Sequence, residues 1–499
     1  MRFRFVQQNS LDTTPIGEVK IDEKSRHELA PLLAGLQYLF VTPELNEKIY
    51  AKIEKKVMAG KKRTGRLGMS LWEILVLGTT RLCLNANYDE LQDLANHHTA
   101  LRGILGVETK NIFAEGHKYE LSTIKENVGL LDEATIKEIN IEIVKGGHEL
   151  LKKNGKIEQK EEKMILKVKS DTFPVAANVH FPTDMNLLWD CIRKSLHTLK
   201  KLLDKSKVSG WRKILYIKAN LKSLYRTTSE IHRKKGKNYR ERLVAAAENY
   251  LDTSKKISTR IKDTVKEYEV KSQADTKLLS LIESLKNFVG LLDKHVSLVE
   301  RRIIEEESIP HSEKLFSIFE QHVEWLTKGK LHGGVVLGHN VSIATDQYNF
   351  IIDSHVAKKE VDKELAIGIG ERISKNYAEY YLGSLSYDKC FYSRAAKERL
   401  EKIFEVVIMP KPGKKSKKEA EEESEQNYIQ LRKKHSAVES NINELRHAGA
   451  DFVPDKGSDG FDDYIGWGVL AYNLKRLGKL IFEQKKCFKK TSQRVAIAA

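Results

Sequence analysis

In Met164-Ile165-Leu166-Lys167-Val168-Lys169-Ser170-Asp171, Leu166, Val168 and Ser170 alternate with Lys167, Lys169 and Asp171, the two-residue period of a half-buried strand. The alternation then stops. Residues 186–328 are rich in Lys, Glu, Leu and Ala at helical spacing, and Pro310 is the sole proline between Thr183 and Met409. Strand character returns at Val335, where alternate residues run to Ala344, and Asp346-Gln347-Tyr348-Asn349 turns the chain into Phe350-Ile351-Ile352-Asp353. A chain patterned this way begins a sheet, leaves it for a long helical excursion, and comes back to finish it.

The chain has 499 residues, enough for about three domains of ~150 residues. A hydrophobic fraction of 40% supplies a sizeable core and excludes a wholly disordered chain. No apolar run approaches the ~20 residues of a bilayer span; the best stretch, Leu71 to Leu84, contains Glu73 and Arg81. Met1-Arg2-Phe3-Arg4-Phe5 lacks the apolar core of a signal peptide. Cys83, Cys191, Cys390 and Cys487 are scattered, which argues against a zinc site or a disulfide framework. The expectation is a cytoplasmic protein with no membrane partner.

Charge narrows the partner further. The formal net charge is +17, and from Cys191 to Val270 there are 22 Lys or Arg against 8 Asp or Glu. Arg233, Lys234, Lys235 and Lys237 form the densest part. Cations clustered like this favour a polyanion, because each neutralised phosphate releases condensed counterions. A solvated helix face is the ordinary use of any single lysine; the cluster as a whole favours nucleic acid.

The first 155 residues read as helical. Ser70 with Glu73 and Asn87 with Glu90 are capping boxes, and Thr99 caps a third short helix that Gly106 stops. Three short helices with tight turns suit a helix-turn-helix-like DNA reader, and equally any small bundle. Beyond the hairpin come a helix (363–380), a strand ending at Asp388, a helix (393–403), a strand (404–409) and two final helices. Residues 410–426 are charge-blocked and read as a mobile loop. The order is strand, helical excursion, hairpin, helix, strand, helix, strand, helix. It resembles an RNase H-like mixed α/β sheet, here occupying 160–185 and 329–485, interrupted by a basic helical insertion over 186–328 and preceded by an N-terminal helical domain.

In such a sheet, acids at the first strand, at the end of the fourth and on a later helix converge, and phosphodiester chemistry uses that convergence to hold two hard divalent cations ~3.5–4 Å apart. Asp171 ends the first strand and Asp388 ends Leu382-Gly383-Ser384-Leu385-Ser386-Tyr387. Glu439 lies in a helix whose polar face, at three- and four-residue steps, also carries Arg432, His435 and Arg446. That set suits a site for metal and phosphate. An exposed face laced with ion pairs carries the same residues, and each acid alone also serves as a turn or cap residue. Asp184, Asp346 and Asp353 are reserve acids.

Several motifs resemble those of bacterial insertion-sequence DDE transposases. Asp171-Thr172-Phe173 with Asn178-Val179-His180-Phe181-Pro182-Thr183-Asp184 resembles their first motif, and Asp388-Lys389-Cys390-Phe391-Tyr392-Ser393 their second. His435-Ser436-Ala437-Val438-Glu439, followed by Asp455-Lys456-Gly457 and Gly466 to Asn473, is similar to the glutamate region of the group called ISNCY. Cys390 stands where relatives usually have Gly, and His435 and Arg446 where many have Arg and Lys. The resemblance implies a catalytic and metal-binding triad of Asp171, Asp388 and Glu439 with two Mg²⁺ (or Mn²⁺) ions. It implies phosphate contacts from Arg432, His435 and Arg446, and double-stranded DNA, both transposon ends and target, as the partner. A nucleoid-associated enzyme acting as a homodimer or larger assembly on DNA follows from joining two ends. Two other readings stay open: a catalytically inactive DNA-binding descendant, and an RNase H-like nuclease without strand transfer.

Overall fold

The computed structural model describes residues 2–5, 13–60, 67–107, 117–205, 211–271, 275–327 and 334–498. It divides into two compact units, one made of Met1–Asn178 with Leu326–Ala499 and the other of Val179–Trp325. The insertion therefore leaves the sheet at Val179, a few residues earlier than its helical spacing suggests, because Phe181 and Pro182 belong to the loop that enters its first helix.

In the first unit, helices α1 (Leu29–Val41), α2 (Pro43–Val57), α3 (Leu71–Cys83), α4 (Tyr88–His97), α5 (Thr99–Leu105), α6 (Leu121–Val128) and α7 (Glu133–Lys153) precede the sheet. Both capping boxes are formed, with Ser70 and Asn87 each accepting from the backbone of the glutamate three residues on. The third short helix is capped by His98, whose ring accepts from the Leu101 N–H, one residue before the expected Thr99. Gly106 ends it in the left-handed conformation (φ 70°), where a Cβ would be strained. These helices do not form a compact unit of their own but cluster with the sheet.

The sheet begins with β1 (Lys163–Ala177), which pairs antiparallel with β2 (Val336–Thr345) from Lys169↔Thr345 to Ala176↔Gly338. β2 pairs antiparallel with β3 (Ile351–Ala357). On its other side β1 runs parallel to β4 (Tyr381–Tyr387), which in turn runs parallel to β5 (Val406–Ile408). The spatial order is β3-β2-β1-β4-β5. A short strand β6 (Phe452–Val453) pairs parallel with Ala176 and Ala177 of β1.

In the second unit, α8 (Asp184–Lys205), α9 (Ile214–Lys234), α10 (Tyr239–Lys271) and α11 (Thr276–Val299) pack side by side. Their shared core includes Leu188, Ile192, Leu199, Tyr250, Leu251, Ile261, Leu285 and Leu292, all buried. The helical spacing of this stretch is thus a bundle core.

Helices α12 (Asp362–Asn376) and α13 (Arg394–Leu400) connect the later strands. After β5 come α14 (Lys417–Ser424), α15 (Gln426–His435), α16 (Ala437–Leu445) and the long α17 (Ser458–Ala498). Part of the segment expected to be a loop at 410–426 is therefore helical. Ser416 and Glu419 form a third capping box, and Lys411 and Lys415 pair with Glu419 and Glu423. Opposite charges eight residues apart there fold back on each other.

Candidate active site

β1 does not end at Asp171. It continues through Thr172 to Ala177, paired with β2 as far as Ala176. What ends at that point is the parallel neighbour: β4 pairs last at Ser170↔Tyr387, and β6 begins only at Ala176. Asp171 therefore sits where one side of β1 opens. Asp171 follows the last β1–β4 pair on β1, and Asp388 follows it on β4, in extended conformation (φ −74°, ψ 167°). Each acid thus follows the last residue that its strand pairs in this ladder, although 217 positions separate them.

Alternation assigns their faces. Ser170 and Thr172 point away from the acids; the Thr172 hydroxyl donates to Asp362 at the start of α12, 2.8 Å away. Tyr387 faces the same way and donates to the Ala366 carbonyl of α12 at 2.7 Å. Lys169, Asp171 and Phe173 share the opposite face, and so do Ser386 and Asp388. That face is covered by α15 and α16. The Ser386 hydroxyl lies 3.1 Å from Nδ1 of His435, and the Arg446 guanidinium lies 5.3 Å from the Phe173 ring centroid. The single helix expected to carry Arg432, His435, Glu439 and Arg446 is divided: Arg432 and His435 are in α15, Glu439 is in α16 beyond Ser436, and Arg446 opens the turn that follows α16.

The local electrostatics tie these groups together. Burial lowers the proton affinity of His435, while the Asp388 and Glu439 carboxylates raise it and Lys169 lowers it. The imidazole thus senses both acids and a buried lysine at once. Lys169 is buried, and burial depresses its pKa, with Lys434 adding to the depression and Asp346 opposing it. Lys169 is a residue that sequence reasoning misses; its place two positions before Asp171 in an alternating strand is the signal that finds it.

Asp171 accepts from the Thr172 N–H at 2.7 Å and Asp388 from the Lys389 N–H at 2.6 Å, so each carboxylate has one oxygen engaged by its own turn or strand backbone. Cys390 is exposed on the short turn after Asp388. Arg432 is exposed, 3.6 Å from Glu423, and Arg446 is 3.6 Å from Asp451. The basic cluster Arg233, Lys234, Lys235 and Lys237 is exposed at the end of α9 in the other unit, where Lys234 pairs with Glu230.

The reserve acids are otherwise occupied. Asp353 receives Arg372 at 2.7 Å, Asp346 is fully buried 2.6 Å from Nε2 of His148, and Asp184 pairs with Arg302. For Asp171, Asp388 and Glu439 the donor chemistry is all carboxylate oxygen, which suits a hard divalent cation. Among the described residues, however, no three His, Cys, Asp or Glu side chains stand close enough together to hold a metal ion. No helix is long and apolar enough to cross a membrane among the described residues. Comparison of the chain with protein-family models, with curated proteins and with solved structures gives no match.

Proposed function

We propose that this protein is a DNA transposase that cleaves DNA at transposon ends and joins the freed ends to target DNA, on an RNase H-like framework. The observation that carries the reading is that Asp171 and Asp388 each directly follow the last pair, Ser170↔Tyr387, of the parallel β1–β4 ladder. The strand order β3-β2-β1-β4-β5, with only β2 antiparallel to its neighbours, supports the framework. The motifs that resemble insertion-sequence enzymes fall on these same strands and on α16.

In this reading Asp171, Asp388 and Glu439 hold divalent cations. Mg²⁺ bound there would supply a Lewis acid for the attacking and leaving oxygens of phosphodiester exchange. His435 orients through Ser386 and, lowered by burial, stays neutral near pH 7, so it adds a hydrogen-bonding group without adding charge. Arg446 supplies fixed positive charge on the acid face for phosphate oxygens. The exposed cations at the end of α9 hold duplex DNA by its backbone.

The test is joining of a labelled transposon end to a plasmid in Mg²⁺. Asp388→Asn is expected to abolish both cleavage and joining while DNA binding persists, and an unimpaired variant would remove Asp388 from the chemistry. A second reading, an inactive DNA-binding descendant, is favoured by the lack of a closed three-ligand group among the described residues. It requires salt-sensitive DNA binding with no metal-dependent cleavage at all.

A further inference from the structure

The unit Val179–Trp325 contains a cavity of about 1070 Å³, walled by the start of α8, one face of α9, the end of α11 and the segment between 311 and 325. Pockets of this size take a small molecule or a unit of a polymer.

Its wall is charged in one sense only once existing pairs are removed. Arg226 and Arg233 lie seven residues apart on α9, and Lys314 joins them. None of the three has a carboxylate within 4 Å among the described residues. The acids of the wall are already engaged, Asp184 by Arg302 and Glu230 by Lys234. Three cations thus remain for an anion from outside.

Aromatic rings also line the wall. Trp325 meets Phe181 and Phe316 with ring centroids 5.6 and 5.5 Å away, and Tyr225 and Tyr239 also line the space. Two polar atoms of the wall are buried without a hydrogen-bond partner: Nε2 of His295, in a residue 1% exposed, and Oγ of Ser229. A buried polar group left unpaired costs free energy that a bound donor or acceptor recovers. Burial pulls the His295 pKa down to about 4, so at neutral pH the ring is uncharged and its Nε2 serves as donor or acceptor according to tautomer.

We propose that this cavity binds a nucleoside 5′-phosphate, its base against the aromatic wall and hydrogen-bonded by His295 and Ser229, its phosphate held by Arg226, Arg233 and Lys314. Inorganic phosphate would leave the rings and His295 unused, and an apolar ligand would leave three unpaired cations facing it. A free nucleotide and one nucleotide of a single strand present this same chemistry. The inference deepens the nucleic-acid reading of this unit and is independent of the three acids.

The experiment titrates the full chain calorimetrically with deoxyadenosine 5′-monophosphate, with inorganic phosphate, with deoxyadenosine and with a 5′-phosphorylated single-stranded dodecamer. The nucleotide is expected to saturate one site and to bind about tenfold or more tighter than phosphate or nucleoside alone. The double variant Arg226→Ala/Arg233→Ala, which changes only exposed residues, is expected to weaken it by about tenfold or more. His295→Leu is expected to weaken it too, with the circular dichroism unchanged. A dodecamer that displaces the nucleotide and binds more tightly assigns the source as a polynucleotide; one that fails to displace it assigns a free nucleotide. Absence of binding by both, or binding indifferent to the arginine variant, overturns the pocket. Duplex binding measured in parallel separates the two ideas: duplex bound without nucleotide overturns the pocket alone, and nucleotide bound without duplex overturns the duplex reading alone.

Discussion

Asp171 shows how far a single position can be read from sequence. Its strand and its face follow from alternation, but the strand does not end there as expected: β1 runs on through Pro174 to Ala177. The proline is tolerated because Asp171 to Val175 has a partner strand on one side only, a tertiary circumstance that no local pattern records. Asn473 is a harder case. It lies in a stretch resembling a family motif, yet its work is structural: fully buried, it accepts from the Ile351 N–H at 2.9 Å and donates to the Ile351 carbonyl and to Asn140, each at 2.7 Å. It pins α17 to α7 and β3 at one point. Asn473→Leu strands these backbone and amide groups and is expected to cost about 2–3 kcal/mol, read as a lowered denaturant midpoint at unchanged slope. His295 gives a pH prediction of definite sign. Its folded pKa, about 4, lies below the ordinary value of 6.5, so the folded state prefers the neutral ring. Stability is therefore complete above pH 6.5 and is lost as pH falls from 6.5 towards 4, by on the order of 3 kcal/mol if no other group intervenes. Thermal melts of His295→Leu should be flatter over that window than those of the parent chain; identical slopes would remove His295 as the cause.

Among the elements, those with local chemistry are the most legible. Ser70 with Glu73 and Asn87 with Glu90 each satisfy helix-start amides within four residues, so sequence alone places α3 and α4. Ser70→Ala is expected to lose about 1 kcal/mol on thermal denaturation. The helix α14 is not legible as a helix, because its Lys and Glu blocks look like a solvated linker until they pair across a turn. The crossing of α1 with α17 depends on two glycines whose role only the packing reveals. A Cβ on Gly478 would stand 1.8 Å from the Pro31 carbonyl oxygen, and one on Gly35 2.2 Å from that of Leu474. The two backbones meet with no side chain between them. Gly478→Ala gains helix propensity but forces the helices apart, and the clash with backbone outweighs the gain; a net loss of about 1–3 kcal/mol is expected in chemical denaturation.

At the scale of the whole molecule, a long helical excursion within one sheet is readable because period and proline content change together, and the excursion forms a compact unit of its own. The association of the N-terminal helices with the sheet is not readable, since α17 packs against α1, α3 and α7 from hundreds of residues away. Charge is the whole-molecule property with the clearest consequence. If the exposed cations at the end of α9 neutralise duplex phosphates, log affinity should fall linearly with log salt, and each phosphate left without its cation should reduce that slope by about 0.9. Replacing Arg233, Lys234, Lys235 and Lys237 together by Ala is therefore expected to lower the slope by about 3 to 4 while leaving the relative affinity for different DNA sequences unchanged. Lys234 already pairs with Glu230, so its share is the smallest, and Lys234→Ala alone should move the slope less than Arg233→Ala alone. A slope unchanged in the quadruple variant would place the DNA-binding surface elsewhere, on the first unit, and would leave the positive end of α9 with a solvating role only.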